Sequence, residues 1–477
     1  MSVPLPPFAF GTADDFNDVR DCVPRTLMSL AAKGTALLGL EPRVVAAVGL
    51  AHLAASLGRS FFFDDGRTRI PGCFNLAVVS ERLPASDWTV SLGRGWTESA
   101  TQLQTMHSLK LRELIRNCVR DAATKRTERN IDPQFEAYEK EIPLNVVNML
   151  RRCTITSKVD PDAVARAIVD SRDHCVLMVN GAGDPMEEWS QLSPAKRKRL
   201  AELLVLSWQC KPVTIPPTGA ELLGTAHLLW QTSREQVRRA MFDRRMPSFC
   251  RSTPVLLFQH SGEPKRMPDV HAAEFMEWSH FLKSLSDYRS QPNCNSDFTL
   301  AKPEQKAVDE FFAQFAIALA KAPASMQPYL AWLPDLLMRL IPAILTAKTM
   351  DALKQQNIEG TTKSGLSSTV PQNAPVTMMQ EAVRLTRWLC QEHYRTVCSY
   401  LAVTSADSDQ QATDNTDTER LEEDILQRLK DNGPQTHREL QRRFHELPAK
   451  TRDEVLRRLK TKGAVIENSE GKLELAA

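Results

Sequence analysis

At 477 residues with 42% hydrophobic content, the chain is long enough for about two to four domains and can bury a sizeable core. Sixty basic and 58 acidic side chains leave a net charge of +2, so any affinity for DNA must come from local patches and not from the chain as a whole. The Pro-rich, uncharged start Met1–Phe10 has no basic leader, and the longest apolar run, Val44–Leu57, is too short for a bilayer and is interrupted by Gly49 and His52. Secretion and membrane insertion are therefore not expected. The ten cysteines form no C-x-x-C pair and have no histidine at metal-ligand spacing, as expected of reduced, mostly buried thiols in a cytosolic protein.

In chain order, Pro24–Gly58 reads as two helices rich in leucine and valine. Gly72–Ser80 is a short apolar run with β-branched residues, which predicts a buried strand. Thr97 to about Lys140 is long, charged and helical, and Arg112, Arg116, Arg120, Lys125, Arg126 and Arg129 along it read as a solvated face. Arg151–Ile155 begins a second strand, Asp160–Ser171 a helix, and Cys175–Asn180 another buried strand. Glu221–Leu229 and Thr253–Gln259 are further strands on either side of a helix over Arg234–Arg245. Strands alternating with helices predict a parallel α/β core over residues 71–268, after an N-terminal helical segment over 1–70.

From Asp269 the helical signal dominates and predicts a bundle to residue 403, interrupted by a polar loop over Gln356–Pro375. Residues 404–418 hold Asp407, Asp409, Asp414 and Asp417 among Ser, Thr, Gln and Asn and read as a flexible acidic linker.

Residues 419–477 have the pattern of a winged helix-turn-helix. The first helix runs from Glu419 to about Lys430, with Leu421, Ile425, Leu426 and Leu429 on one face, and stops at Asn432-Gly433-Pro434. Thr436 stands three residues before Glu439, the spacing of a reciprocal capping pair, and opens a short second helix with Leu440 and Phe444. A third helix, from about Lys450 to Lys462, buries Val455, Leu456 and Leu459 and closes at Gly463. Ala464–Glu467, Asn468–Gly471 and Lys472–Leu475 follow as strand, turn and strand. Between Thr436 and Gly463 nine basic side chains face four acidic ones, an excess of five. In such a unit the start of the third helix enters the major groove, which makes Lys450, Thr451 and Arg452 candidate base readers. Arg457, Arg458 and Lys472 are then candidate phosphate contacts, and Arg438, Arg442, Arg443 and Lys460 complete the candidate DNA-binding residues.

This order of features resembles a P-loop primase/helicase-like family of phages, plasmids and other mobile elements. The residues that carry the resemblance are the helical stretch Val44–Ala54, the strand Leu76–Ser80, the segment Thr154–Val179, Arg244-Arg245-Met246-Pro247 before the apolar run Thr253–Phe258, the bundle around Leu385, Trp388 and Tyr394, and the terminal unit. The resemblance implies a P-loop NTPase-like parallel sheet with a helical extension and a C-terminal winged helix. In that family the first strand delivers a Gly-rich turn ending in Lys-Ser, and a later strand ends in acidic residues that hold a metal. Here Ser80–Ser86 contains neither Gly nor Lys, Glu81 would repel phosphate, and Pro84 removes a donor. The nearest substitute, Gly93–Thr97, has Trp96 in the lysine position, and the strand ending at Val179 carries Asn180 at its tip, with Asp184, Glu187 and Glu188 only later. Those acidic residues fit a solvated helix start.

No nucleotide, metal or other cofactor is therefore expected. The reading is a non-enzymatic DNA-binding accessory protein acting in mobile-element replication or defence, with DNA as partner, replication or defence proteins as further partners, and no membrane. Two alternatives stay open. One is an active NTPase with an unusual site, for example a helicase subunit that uses a partner's phosphate loop and offers Arg244, Arg245 or Arg251 in trans. The other is an adaptor whose winged helix docks protein.

Overall fold

The computed structural model describes residues 16–58, 62–64, 69–83, 88–93, 154–170, 175–215, 220–242, 249, 253–261, 275–289, 297–358, 376–407, 422, 425–431, 433–436, 439–440, 455–457, 459–460, 463–468 and 472–475. The chain divides into two units, Pro7–Val397 and a C-terminal one beginning at Cys398. After a 3-10 helix over Phe16–Cys22, the larger unit contains α1 (Arg25–Leu38), α2 (Pro42–Leu57), β1 (Phe62–Asp64), β2 (Arg69–Pro71), β3 (Asn75–Ser80), α3 (Trp88–Leu92), β4 (Thr154–Thr156), α4 (Pro161–Asp170), β5 (Cys175–Met178), α5 (Pro185–Gln191) and α6 (Pro194–Trp208). It continues with β6 (Val213–Ile215), β7 (Ala220–Leu222), β8 (Thr225–Ser233), α7 (Arg234–Phe242), β9 (Leu256–Gln259), α8 (Met276–Arg289), β10 (Asp297–Phe298), α9 (Lys302–Lys321), α10 (Gln327–Leu330), α11 (Asp335–Ile358) and α12 (Val376–Asp407), whose part from Cys398 on belongs to the C-terminal unit.

The centre is a five-stranded, all-parallel sheet in the order β4-β5-β8-β3-β9, compatible with a Rossmann- or P-loop-like core. Its strands read as apolar runs because a parallel sheet is covered on both faces: every residue of β3 and β5 is buried. β8 fits between β3 and β5, with Val78 opposite Gln231 and Leu177 opposite His227. A smaller sheet, β10-β1-β2, and a β6-β7 hairpin complete the larger unit's described strands. Glu221–Leu229, expected as one strand, is split: Ala220–Leu222 pairs antiparallel with β6, and the chain joins the main sheet only at Thr225.

α2 is buried from Val44 to Leu57, as a helix apolar on all sides requires. Gly49 lets α1 cross it closely, since a Cβ there would sit 2.1 Å from Leu27 Cδ1. The helices after the sheet belong to the same unit. Arg339 of α11 is buried, donates to the carbonyls of Pro71 and Trp208, and stacks 3.9 Å over the Trp208 ring. The outer edge of β9 is covered by α12: Leu257 N–H donates to His393 Nδ1 at 2.9 Å, and Gln259 N–H to Thr396 Oγ1 at 3.2 Å. With Nδ1 accepting, Nε2 of His393 donates to the Tyr329 carbonyl at 3.1 Å. α12 extends to Asp407, three residues beyond the expected start of the linker at 404, and Gln356–Ile358 of the expected loop end α11. The remainder of that loop and of the linker lies outside the described residues, as do Thr97–Lys140 and its basic cluster.

In the C-terminal unit, residues 425–431 are helical, Gln435 forms a bridge to Leu473, and residues 439–440, 455–457 and 459–460 are helical. β11 (Val465–Glu467) and β12 (Leu473–Leu475) form an antiparallel hairpin. The expected capping pair is present: Thr436 N–H donates to Glu439 Oε2 at 2.7 Å, and Glu439 N–H to Thr436 Oγ1 at 3.3 Å. Gly463 adopts the expected left-handed conformation, φ 68°. Ile425, Leu429, Leu440, Val455, Leu456, Leu459, Val465 and Leu473 form one core.

Among the described residues one stretch, Gln327–Leu353, is long and apolar enough to cross a membrane, and 83% of its most apolar window is buried within the protein. Cys22, Cys73, Cys175 and Cys390 are buried free thiols, and burial raises those of Cys22 and Cys73 to about 12.

His52 and His393 are both buried, and desolvation, only partly offset by their hydrogen bonds to carbonyls, lowers each from 6.5 to about 4. The unfolded chain takes up protons below about pH 6.5 that the folded chain refuses until about 4. Stability is therefore full above that window and falls as the pH drops through it. At about 1.36 kcal/mol per unit, each histidine costs on the order of 2 kcal/mol between pH 6.5 and 5. The urea midpoint should fall across this range, and His393→Gln, whose amide can keep both bonds without titrating, should flatten the fall. An unchanged profile in that variant would exclude His393 as a source.

Candidate functional site

Ligands of open α/β sheets sit beyond the carboxyl ends of the strands, where the strand order reverses. Among the described residues that edge carries paired polar side chains. Asn180, two residues past β5, donates from Nδ2 to the Gln231 carbonyl at 2.8 Å and accepts the Gln231 N–H at 2.7 Å. Gln231 Nε2 in turn reaches Thr89 Oγ1 of α3 at 3.3 Å, while His52 Nε2 donates to the Thr89 carbonyl at 2.7 Å. Trp88, Thr89 and Leu92 of α3, the helix that follows the first strand of the sheet, are buried. Glu81 is paired with Arg234 at 2.7 Å. Gly93, the first residue of the nearest glycine-containing substitute for a phosphate loop, lies against His52, whose ring would be 2.6 Å from an added Cβ. Close packing accounts for that glycine. Pro84–Ser86 and Arg94–Thr97 lie outside the described residues.

Asp184 corrects a sequence expectation. It starts α5 but is only 5% exposed, so it is not part of a solvated helix start. One carboxylate oxygen accepts from Met186 N–H at 3.0 Å and Thr232 Oγ1 at 2.8 Å, and the other from Ser233 N–H at 2.7 Å. It is a helix cap that also pins the end of β8, a role invisible at 48 residues' separation. Glu188 nearby is raised above its ordinary value, by burial first and then by the charge of Asp184. No group of three or more His, Cys, Asp or Glu suited to a metal occurs among the described residues.

Beyond β9 lies a second cluster that the sequence reading did not single out. His260 N–H donates to the Val79 carbonyl at 2.8 Å, continuing the pairing of β9 with β3. Glu41, the residue before α2, accepts Ser261 N–H at 2.9 Å, Ser261 Oγ at 2.5 Å and Arg43 Nε at 2.6 Å. Arg43 is held independently by Glu392 and by the Gln259 carbonyl at 2.9 Å. Burial works against ionising Glu41, yet the His260 ring, the Ser261 donors and the Arg43 charge hold its carboxyl well below the ordinary range. No sequence signal joins positions more than two hundred residues apart.

In the C-terminal unit, Arg457 and Lys460 are exposed on the helix that buries Val455, Leu456 and Leu459, with Lys460 flanking the buried face. Lys460 Nζ lies 2.6 Å from Glu467 of β11. Lys472 opens β12, where its N–H donates to Asn468 Oδ1 at 3.0 Å and its carbonyl accepts Asn468 N–H at 2.8 Å. Arg438, Arg442, Arg443, Lys450, Thr451, Arg452 and Arg458 lie outside the described residues, as do Arg244, Arg245 and Arg251.

Compared with known proteins, this chain matches no family model and no curated protein.

Asp184→Ala should cost about 2–4 kcal/mol, because a helix cap is lost and two donors on β8 are left inside without an acceptor. Asp184→Asn, which keeps one acceptor oxygen, should lose clearly less. Urea denaturation of both variants tests this; equal, small losses would mean that the carboxylate does not hold the strand end.

Proposed function

We propose that this chain is a DNA-binding accessory protein whose terminal unit is a winged helix-turn-helix and whose α/β core has a P-loop-like strand arrangement without the nucleotide chemistry. The observation that carries the DNA reading is the terminal unit's geometry. A strand residue between the first and second helices bridges the second wing strand, the helices and hairpin share one core, and Arg457 and Lys460 face outward. In this reading Lys450, Thr451 and Arg452 read bases, and Arg438, Arg442, Arg443, Arg457, Arg458, Lys460 and Lys472 hold phosphates. The Lys460–Glu467 pair is exposed and worth under about 1 kcal/mol, so Lys460 can exchange it for a phosphate.

Anisotropy titration of a labelled duplex with the full chain at several salt concentrations tests the reading. Binding should weaken steeply with salt, and Arg457→Ala with Arg458→Ala should weaken it on all sequences and reduce the log–log salt slope by about 0.9 for each contact removed. Lys450→Ala or Arg452→Ala should also relax sequence preference. Absence of binding at low salt would overturn the reading. It would favour instead a protein-docking role, for which Ile466, 45% exposed on the hairpin, is the specific support.

The core reading rests on Asn180, whose amide pairs with Gln231 where the family resemblance would require a carboxylate. Calorimetry of the full chain with ATP and Mg²⁺ should show no isotherm assignable to the Ser80–Ser86 turn. One abolished by substitutions in that turn would restore the NTPase alternative.

A further inference from the structure

The cluster around Glu41 has the chemistry of an anion site. We infer that Arg43, His260 and Ser261 form a cradle for a phosphoryl group, and that the Glu41 carboxylate is its displaceable internal occupant.

Four observations carry this. First, the donors converge on one carboxylate: a guanidinium, a backbone N–H and a hydroxyl all point at Glu41, an arrangement suited equally to the oxygens of a phosphoryl group. Second, His260 is 1% exposed; its Nδ1 faces Glu41 Oε1 at 3.5 Å, and its Nε2 has no hydrogen-bond partner. A buried imidazole left short of a partner beside an anion is a group that a larger, more highly charged anion would engage. Third, the cradle persists without its occupant. Arg43 is anchored by Glu392 and the Gln259 carbonyl, and His260 by its backbone bond to Val79. Fourth, the cluster lies at the carboxyl end of a parallel strand, a place where phosphates bind. Ser261 is exposed and Glu41 a quarter exposed, which leaves a route from solvent.

In the native chain Glu41 competes from within, so an external phosphoryl group binds weakly. Removing the carboxylate should unmask the site. The test is calorimetry and thermal melting of the full chain, as wild type and as Glu41→Ala, with inorganic phosphate and, separately, ATP, each against sodium chloride at equal ionic strength. Glu41→Ala should bind phosphate at least roughly tenfold more tightly than wild type, with a saturable rise in Tm that chloride does not produce. Adding Ser261→Ala should weaken that binding roughly tenfold, the worth of one hydrogen bond to a charged group. Adding Arg43→Gln should abolish it. Tighter binding of ATP than of phosphate would identify a nucleotide's phosphoryl group as the ligand, and equal binding a free phosphate. If Glu41→Ala does not fold in chloride, phosphate should restore its folding. A folded Glu41→Ala that responds to phosphate no more than to chloride, or an unfolded one that phosphate does not rescue, overturns the proposal and leaves Glu41 as a structural ion pair.

Discussion

The outward N–H groups of Leu257 and Gln259, on the open edge of a parallel sheet, must find acceptors, and much of the larger unit is arranged around that demand. An unpaired edge is a template for aggregation, and covering it with a helix is one of the standard remedies. α12 does so with side chains at positions 393 and 396, spaced to fall on one helix face. His393 must then stay neutral to accept at Nδ1, and its other nitrogen ties down the Tyr329 carbonyl ahead of α11. Glu392, next in the same helix turn, binds Arg43, which binds the Gln259 carbonyl on the same strand. One edge strand thus draws α2, α10 and α12 into a single body with the sheet, and the helical regions flanking the α/β segment share its compact unit.

The carboxyl edge of the sheet obeys a different constraint. Strand ends carry backbone groups that the ladder does not satisfy, and water or a ligand commonly meets them. Among the described residues, amides and a carboxylate meet them instead: Asn180 pairs with Gln231, and Asp184 holds the end of β8. These side chains hold strands and α3 together. Beyond β9, Glu41 satisfies donors that an outside anion could take over.

The terminal unit separates burial from charge more simply. Its apolar residues form one core, while Arg457 and Lys460 are exposed on the helix that supplies Val455, Leu456 and Leu459. Glu467 on the hairpin moderates this basic face. Because an exposed ion pair holds weakly, Lys460 remains available to a polyanion, and the acidic neighbour lowers the field that a nonspecific partner meets.

Local chemistry made much of this legible in the sequence. Apolar runs such as Asn75–Ser80 and Cys175–Met178 announce buried parallel strands because both faces must be apolar, and Thr436 and Glu439 announce a helix start because the two residues satisfy each other's backbone groups within four positions. Gly463 ends its helix for an equally local reason. What the sequence alone could not determine was every role that depends on distant partners. Asp184 resembled a surface helix start until burial against Thr232 and Ser233 made it a strand anchor. Gly49 and His52 interrupted an apolar run, yet one admits Leu27 and the other grips Thr89. Glu41, Arg43, His260, Ser261 and Glu392 form a cluster only because the sheet and α12 bring together segments more than a hundred residues apart. Hydrophobic periodicity and capping act over a few residues and are written in order along the chain, whereas a polar network takes its meaning from which backbone groups the folded topology leaves unsatisfied.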